Sequence, residues 1–123
     1  MVTTDDYDAA VAFYRDALGM AVSAEYLSDD QGQVVILEAG TATLEIGDPQ
    51  HGRYVDEVEV GRHVAGHLRV ALRVDDAALA TAAATAAGAE VLAPPTLTPW
   101  GSSNARLEAP AELQLTLFQD DAG

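Results

Sequence analysis

The chain repeats itself, and nothing else in it narrows the possible folds as far. The stretch Thr4-Asp5-Asp6-Tyr7-Asp8-Ala9-Ala10, running on to Gly19, is echoed by Val74-Asp75-Asp76-Ala77-Ala78-Leu79, running on to Gly88. An internal repeat implies copies of one supersecondary unit. Each copy opens with an Asp pair suited to capping a helix N-terminus. Each closes with glycine where a left-handed residue belongs after a helix. In the first helix Val11, Tyr14 and Leu18 share a stripe, with Phe13 and Ala17 beside it. In the second, Leu79, Ala82, Ala83 and Ala86 make a thinner, alanine-rich stripe that predicts close approach to a sheet. Tyr7, Phe13 and Tyr14 are expected in the core or in a dimer contact.

Strand signals follow each helix. After the first come Ala21 to Tyr26, Gln33 to Glu38 and Thr41 to Ile46, the last two joined by an Ala39-Gly40 hairpin turn. After the second come Glu90 to Leu92, Ser103 to Glu108 and Leu113 to Phe118. Before the second helix lies a strictly alternating segment. Leu68, Val70, Leu72 and Val74 share one face, expected to meet the helix; His67, Arg69, Ala71 and Arg73 share the other. The second half thus reads β-α-β-β-β. The first half reads the same if Met1 to Thr4 is the stub of an opening strand. The expected class is α+β, a single domain spanning 1–123. Its first module covers 1–47, a mobile linker 48–66 and a second module 67–119.

Composition sets limits on function. With 20 acidic and 6 basic residues the net charge is -14. That leaves no positive footprint for nucleic acid. The acidity serves solubility or attracts a cationic ligand, and composition does not choose. Every basic residue is arginine, so no lysine is present for Schiff-base chemistry. There is no cysteine, which removes disulfides, thiol catalysis and thiolate metal sites. No apolar run approaches a membrane span, and no basic-then-apolar leader is visible, so a cytoplasmic protein without membrane partners is expected. Ser102 and Ser103 have no His at a recognisable spacing and there is no Gly-x-Ser-x-Gly elbow. Phosphate loops and dinucleotide fingerprints are likewise missing. No catalytic residue and no cofactor is therefore expected.

The segment Asp6 to Met20, with its Phe13-Tyr14 pair and terminal Leu18-Gly19, resembles the first helix of the vicinal-oxygen-chelate superfamily. That superfamily holds the glyoxalases, bleomycin resistance proteins and extradiol dioxygenases. Gly66 to Asp76 resembles the strand that opens its second module, and Pro99-Trp100-Gly101 resembles a loop of its antibiotic-resistance branch. The resemblance covers nearly the whole chain. It implies two βαβββ modules forming a curved mixed sheet around a cleft, with the first strand truncated. It also implies a homodimer with pockets between subunits, where a partner could complete the thin opening strand.

Metal enzymes of that superfamily place ligands on the first and last strands of each module. Here the first such position would fall before Met1. The second falls on Glu45, the third on Arg69 and the fourth on Thr116. Arginine does not coordinate cations, so no metal is expected. A register shift of two residues would instead set His67 with Glu45. Within that fold, strand alternation predicts that Thr43, Glu45, Arg69, Ala71, Gln114 and Thr116 face the cleft. Glu45 and Arg69 are expected to pair, the guanidinium standing in for a cation. Trp100 would stack on a planar ligand or pack against the sheet. Tyr54 could close over a ligand, and Asn104 and Arg106 share a face of the following strand.

The ligand-binding set is therefore Trp100, Arg69, Glu45, Thr116, Gln114, Tyr54, Asn104 and Arg106. The expected function is metal-free sequestration of a small aromatic natural product or antibiotic of the bleomycin, mitomycin or enediyne kind. The alternatives are a lyase, isomerase or dioxygenase of the same fold, and a module that takes no ligand.

Overall fold

The computed structural model describes residues 1–121. Its contacts divide the chain into a first compact unit, Met1–Val55, and a second that begins at Asp56. Both are βαβββ units, so the fold is α+β as the repeat predicts.

In the first unit β1 (Val2–Thr3), α1 (Tyr7–Val11), β2 (Val22–Ser28), β3 (Gly32–Ala39) and β4 (Ala42–Gly47) follow in order. The sheet order is β1-β4-β3-β2, with the two-residue β1 parallel to β4 and the other pairs antiparallel. Asp6 caps α1, accepting from the Ala9 amide at 3.3 Å. The helix then widens into a π-helical stretch, Ala12–Ala17, whose end is marked by Leu18 N–H donating to Phe13 O at 3.0 Å. Gly19 follows at φ +73°, the left-handed stop the sequence predicts.

The buried face of this segment carries Tyr7 and Val11 against Val35, Leu37 and Ile46, with Tyr14 packed beside them. Leu18, expected on the same stripe, is 60% exposed. The cause is the π-helical stretch: i→i+5 bonding shifts the phase, so a residue four past Tyr14 leaves the buried face. Phe13 is also exposed and meets Tyr14 edge to face, with ring centroids 4.9 Å apart.

The segment 48–66, read as a linker, contains the eleven-residue helix α2 (Pro49–Glu59), and the division between units falls inside it. Asp48 accepts from the His51 amide at 2.8 Å and Pro49 occupies the first helical position. Proline there needs no N–H partner and has its φ already set. Asp48-Pro49 thus starts a helix within the expected linker.

The second unit carries the end of α2, then β5 (Arg69–Arg73), α3 (Ala77–Ala86), β6 (Glu90–Leu97), β7 (Ser102–Ala109) and β8 (Leu113–Asp120). Its sheet order, β5-β8-β7-β6 with β5 parallel to β8, repeats the first unit's topology. Ala105, Leu107 and Leu117 form its core, with Val74, Ala80, Ala84, Ala89 and Val91 packed on them. The inward face of α3 is Ala77, Ala80, Thr81 and Ala84, and the expected stripe is wrong: Leu79 is 70% exposed. A helix that is nearly all alanine has no hydropathy period to read. Thr81 is tolerated inside because its hydroxyl donates to Ala77 O at 2.7 Å.

The expected apolar face of β5 is only partly covered. α3 packs over β6, β7 and β8, which leaves Leu68 and Leu72 about half exposed, while Arg69 on the polar face is buried. Asp76 caps α3 through the Leu79 amide at 3.0 Å. Replacing Asp76 with alanine should therefore cost about 1 kcal/mol in urea unfolding, with little loss of native helical signal.

Candidate functional site

Alternation along β7 and β8 sends Ala105, Leu107 and Leu117 toward α3 and sends Ser102, Asn104, Arg106, Gln114 and Thr116 to the opposite face. The end of α2 lays Asp56 and Glu59 against this polar face. Arg106 is fully buried. It donates to Asp56 Oδ1 at 2.7 Å, to Glu59 Oε1 at 3.0 and 3.2 Å, and to Gln114 Oε1 at 2.9 Å. Glu59 Oε2 accepts from Asn104 Nδ2 at 3.0 Å, and Asn104 Oδ1 accepts from Ser102 Oγ at 2.6 Å. The Arg69 guanidinium donates to Thr116 Oγ1, which lies 3.4 Å from Glu59 Oε1.

Asp56 uses both oxygens. Oδ2 accepts from the amides of Val64 and Ala65 at 2.9 and 2.8 Å and from His63 Nδ1 at 2.8 Å. Burial by itself would raise the pKa of this carboxyl. The Ala65 amide, the Arg106 guanidinium and the Val64 amide outweigh burial and hold it below the usual carboxylate value. Among the described residues the buried charges are Asp56, Glu59, Arg69 and Arg106, two of each sign, so the set is neutral and densely bonded. Its carboxylates are closed off from any substrate, which makes them poor candidates for proton transfer.

Five of the eight sequence-predicted site residues meet on this face: Arg69, Asn104, Arg106, Gln114 and Thr116. Trp100, 47% exposed, sits on the β6–β7 turn at one end of β7. Glu45, on β4 and paired with Ile36, belongs to the first unit. Tyr54 also lies there, on α2, its ring 6.2 Å from that of His51. The partners that organise the polar face, Asp56 and Glu59, were missed because they fell in the supposed linker. An Asp and a Glu three apart behind an N1 proline were the available signal.

At the other end of β7, beside the β7–β8 turn, the second unit has a pocket of about 450 Å³. Val64, Leu68 and Leu113 supply apolar wall; His67, Glu108, Glu112 and Gln114 supply polar groups. The turn holds Ala111 at φ +65° and Glu112 at φ +57°. Two successive L-residues in the left-handed region cost roughly 1–2 kcal/mol each, and such strain gathers at binding sites.

The metal implied by the resemblance does not fit the second unit. The two positions named for ligands carry a guanidinium, Arg69, hydrogen-bonded to a hydroxyl, Thr116. A permanent cation with no lone pair to offer repels a divalent ion. Among the described residues no group of three or more His, Asp or Glu is gathered as a metal site requires. No helix among them is long and apolar enough to cross a membrane.

Solved structures share this architecture. A hypothetical protein from Bacillus halodurans C-125 superposes with a TM-score of 0.69 at 13% identity, over 99% of this chain and 91% of that one. Methylmalonyl-CoA epimerase from Mycobacterium tuberculosis superposes at 0.65 with 19% identity, over 97% of this chain and 83% of that one. At such identities the likeness is one of fold alone. No curated protein matches the chain. The family model described as the Glyoxalase/Bleomycin resistance protein/Dioxygenase superfamily matches residues 1–123. The doubled βαβββ topology and the family match agree, and the chain belongs to that superfamily.

Proposed function

We propose that this chain is a metal-independent binding protein that sequesters a small aromatic molecule, of the kind represented by DNA-damaging antibiotics. The observation that carries the reading is the Arg69–Thr116 hydrogen bond at two positions where the resemblance places metal ligands. A guanidinium there fills the position with a fixed charge and offers no lone pair to an ion, which supports the metal-independent part of the reading. Trp100 supports the aromatic part of the reading, because a half-exposed indole on a turn offers a stacking face. Binding needs concavity, a stacking surface and a few polar anchors rather than a nucleophile.

Metal analysis of the purified protein, followed by titration of Trp100 fluorescence with aromatic DNA-damaging antibiotics, tests this. Saturable quenching at roughly micromolar concentration, with substoichiometric metal and the ligand recovered unchanged, is the expected result. Stoichiometric metal would overturn the metal-independent reading, and a chemically altered ligand would point instead to a lyase, isomerase or dioxygenase. Trp100→Ala should weaken the affinity measured by calorimetry about tenfold, the worth of one aromatic stack. An unchanged affinity would place the ligand elsewhere.

A further inference from the structure

We propose that the pocket beside the β7–β8 turn binds an organic cation, an amine or quaternary ammonium carried on a small apolar body. The assignment rests on the reading as a binding protein but places this ligand away from Trp100, which stands at the opposite end of β7. The pocket's volume, about 450 Å³, is that of a small-molecule site.

Its charges are of one kind. Glu108 and Glu112 line it, no arginine does, and the chain around it carries a net charge of -14. A concave surface of one sign concentrates the opposite ion. Glu108 is also oriented in advance. Its Oε1 accepts from Gln114 Nε2 at 3.0 Å, and that amide is pinned by Val64 O at 3.0 Å and by Arg106 at 2.9 Å. Arg106 does not cancel the Glu108 charge, because its own charge is already met by Asp56 and Glu59. Fixing a first contact through a rigid second layer is how a binding group is kept in place.

Leu68 and Leu113 give the apolar body a wall, and the His67 ring lies along the same lining. The donors of His67, Glu108 and Glu112 do not converge tightly enough to hold a metal ion, which favours a diffuse organic cation. Charge with an apolar wall selects an amphiphilic amine over both a bare ion and a neutral molecule.

The test uses phenethylamine and its neutral isostere 2-phenylethanol, followed by amide chemical shifts of the full chain. Phenethylamine should move the amides of Leu68, Ala111, Glu112 and Leu113, and bind at least tenfold more tightly than the alcohol. Glu108→Gln and Glu112→Gln preserve shape and should each weaken it severalfold, with amides far from the pocket unmoved. Equal binding of the alcohol, shifts confined to other residues, no binding at all, or indifference to both substitutions would each overturn the assignment. Saturable quenching of Trp100 by antibiotics beside a silent pocket would leave the binding-protein reading standing and remove this site alone.

Discussion

Replacing Arg106 with methionine should lower stability by about 3–5 kcal/mol, the usual cost of removing one partner of a buried ion pair. The size follows from what stays behind. Asp56 and Glu59 are almost wholly inaccessible, and each would be left in the interior without the guanidinium that offsets its desolvation. Methionine fills comparable volume, so the loss reports charge rather than a cavity. Urea unfolding followed by Trp100 fluorescence reads the effect in the correct place, because the chain's single tryptophan lies in the second unit. A loss below about 1 kcal/mol would mean that water reaches the two carboxylates, and the polar face would then be an open cleft rather than a closed network.

That closed network marks the limit of what the sequence alone discloses. The repeat was legible because helix caps and strand alternation are local: Asp6, Asp76, Gly19 and Gly88 act within a few residues of themselves. The strands around Val35, Leu107 and Leu117 were legible for the same reason. What failed depended on longer range or on missing contrast. Leu18 left its stripe because a π-helical stretch, invisible in hydropathy, altered the phase. Leu79 misled because its alanine neighbours carry no period. Arg106 could be placed on a face with Asn104, but its partners lie 50 and 47 residues away, so no pattern could say that it would be buried. The pocket beside the β7–β8 turn was out of reach for a further reason. Its lining gathers residues 64–68 and 108–114, and the turn among them holds left-handed backbone at Ala111 and Glu112, where no glycine announces it.

The acid limb of the stability curve should flatten when Asp56 becomes asparagine. At neutral pH the substitution should cost on the order of 3 kcal/mol, since it removes the charge facing Arg106 and turns an NH2 toward donors that need an acceptor. The pKa of Asp56 is lower in the folded chain than its ordinary 3.8. The unfolded chain therefore binds this proton more tightly than the folded one. The stabilisation is complete above about pH 4 and is lost as the pH falls through the lower folded value. Below that window both forms of the chain lack the charge. The gap between wild type and Asp56→Asn should accordingly be widest near neutrality and narrow as the solution is acidified below pH ~4. The difference matters more than either curve, because the relief of acidic self-repulsion on acidification is common to both chains. Parallel curves from pH 7 to 2.5 would show that Asp56 gains nothing from its charge in the folded state. The two backbone amides alone would then account for its place against the sheet.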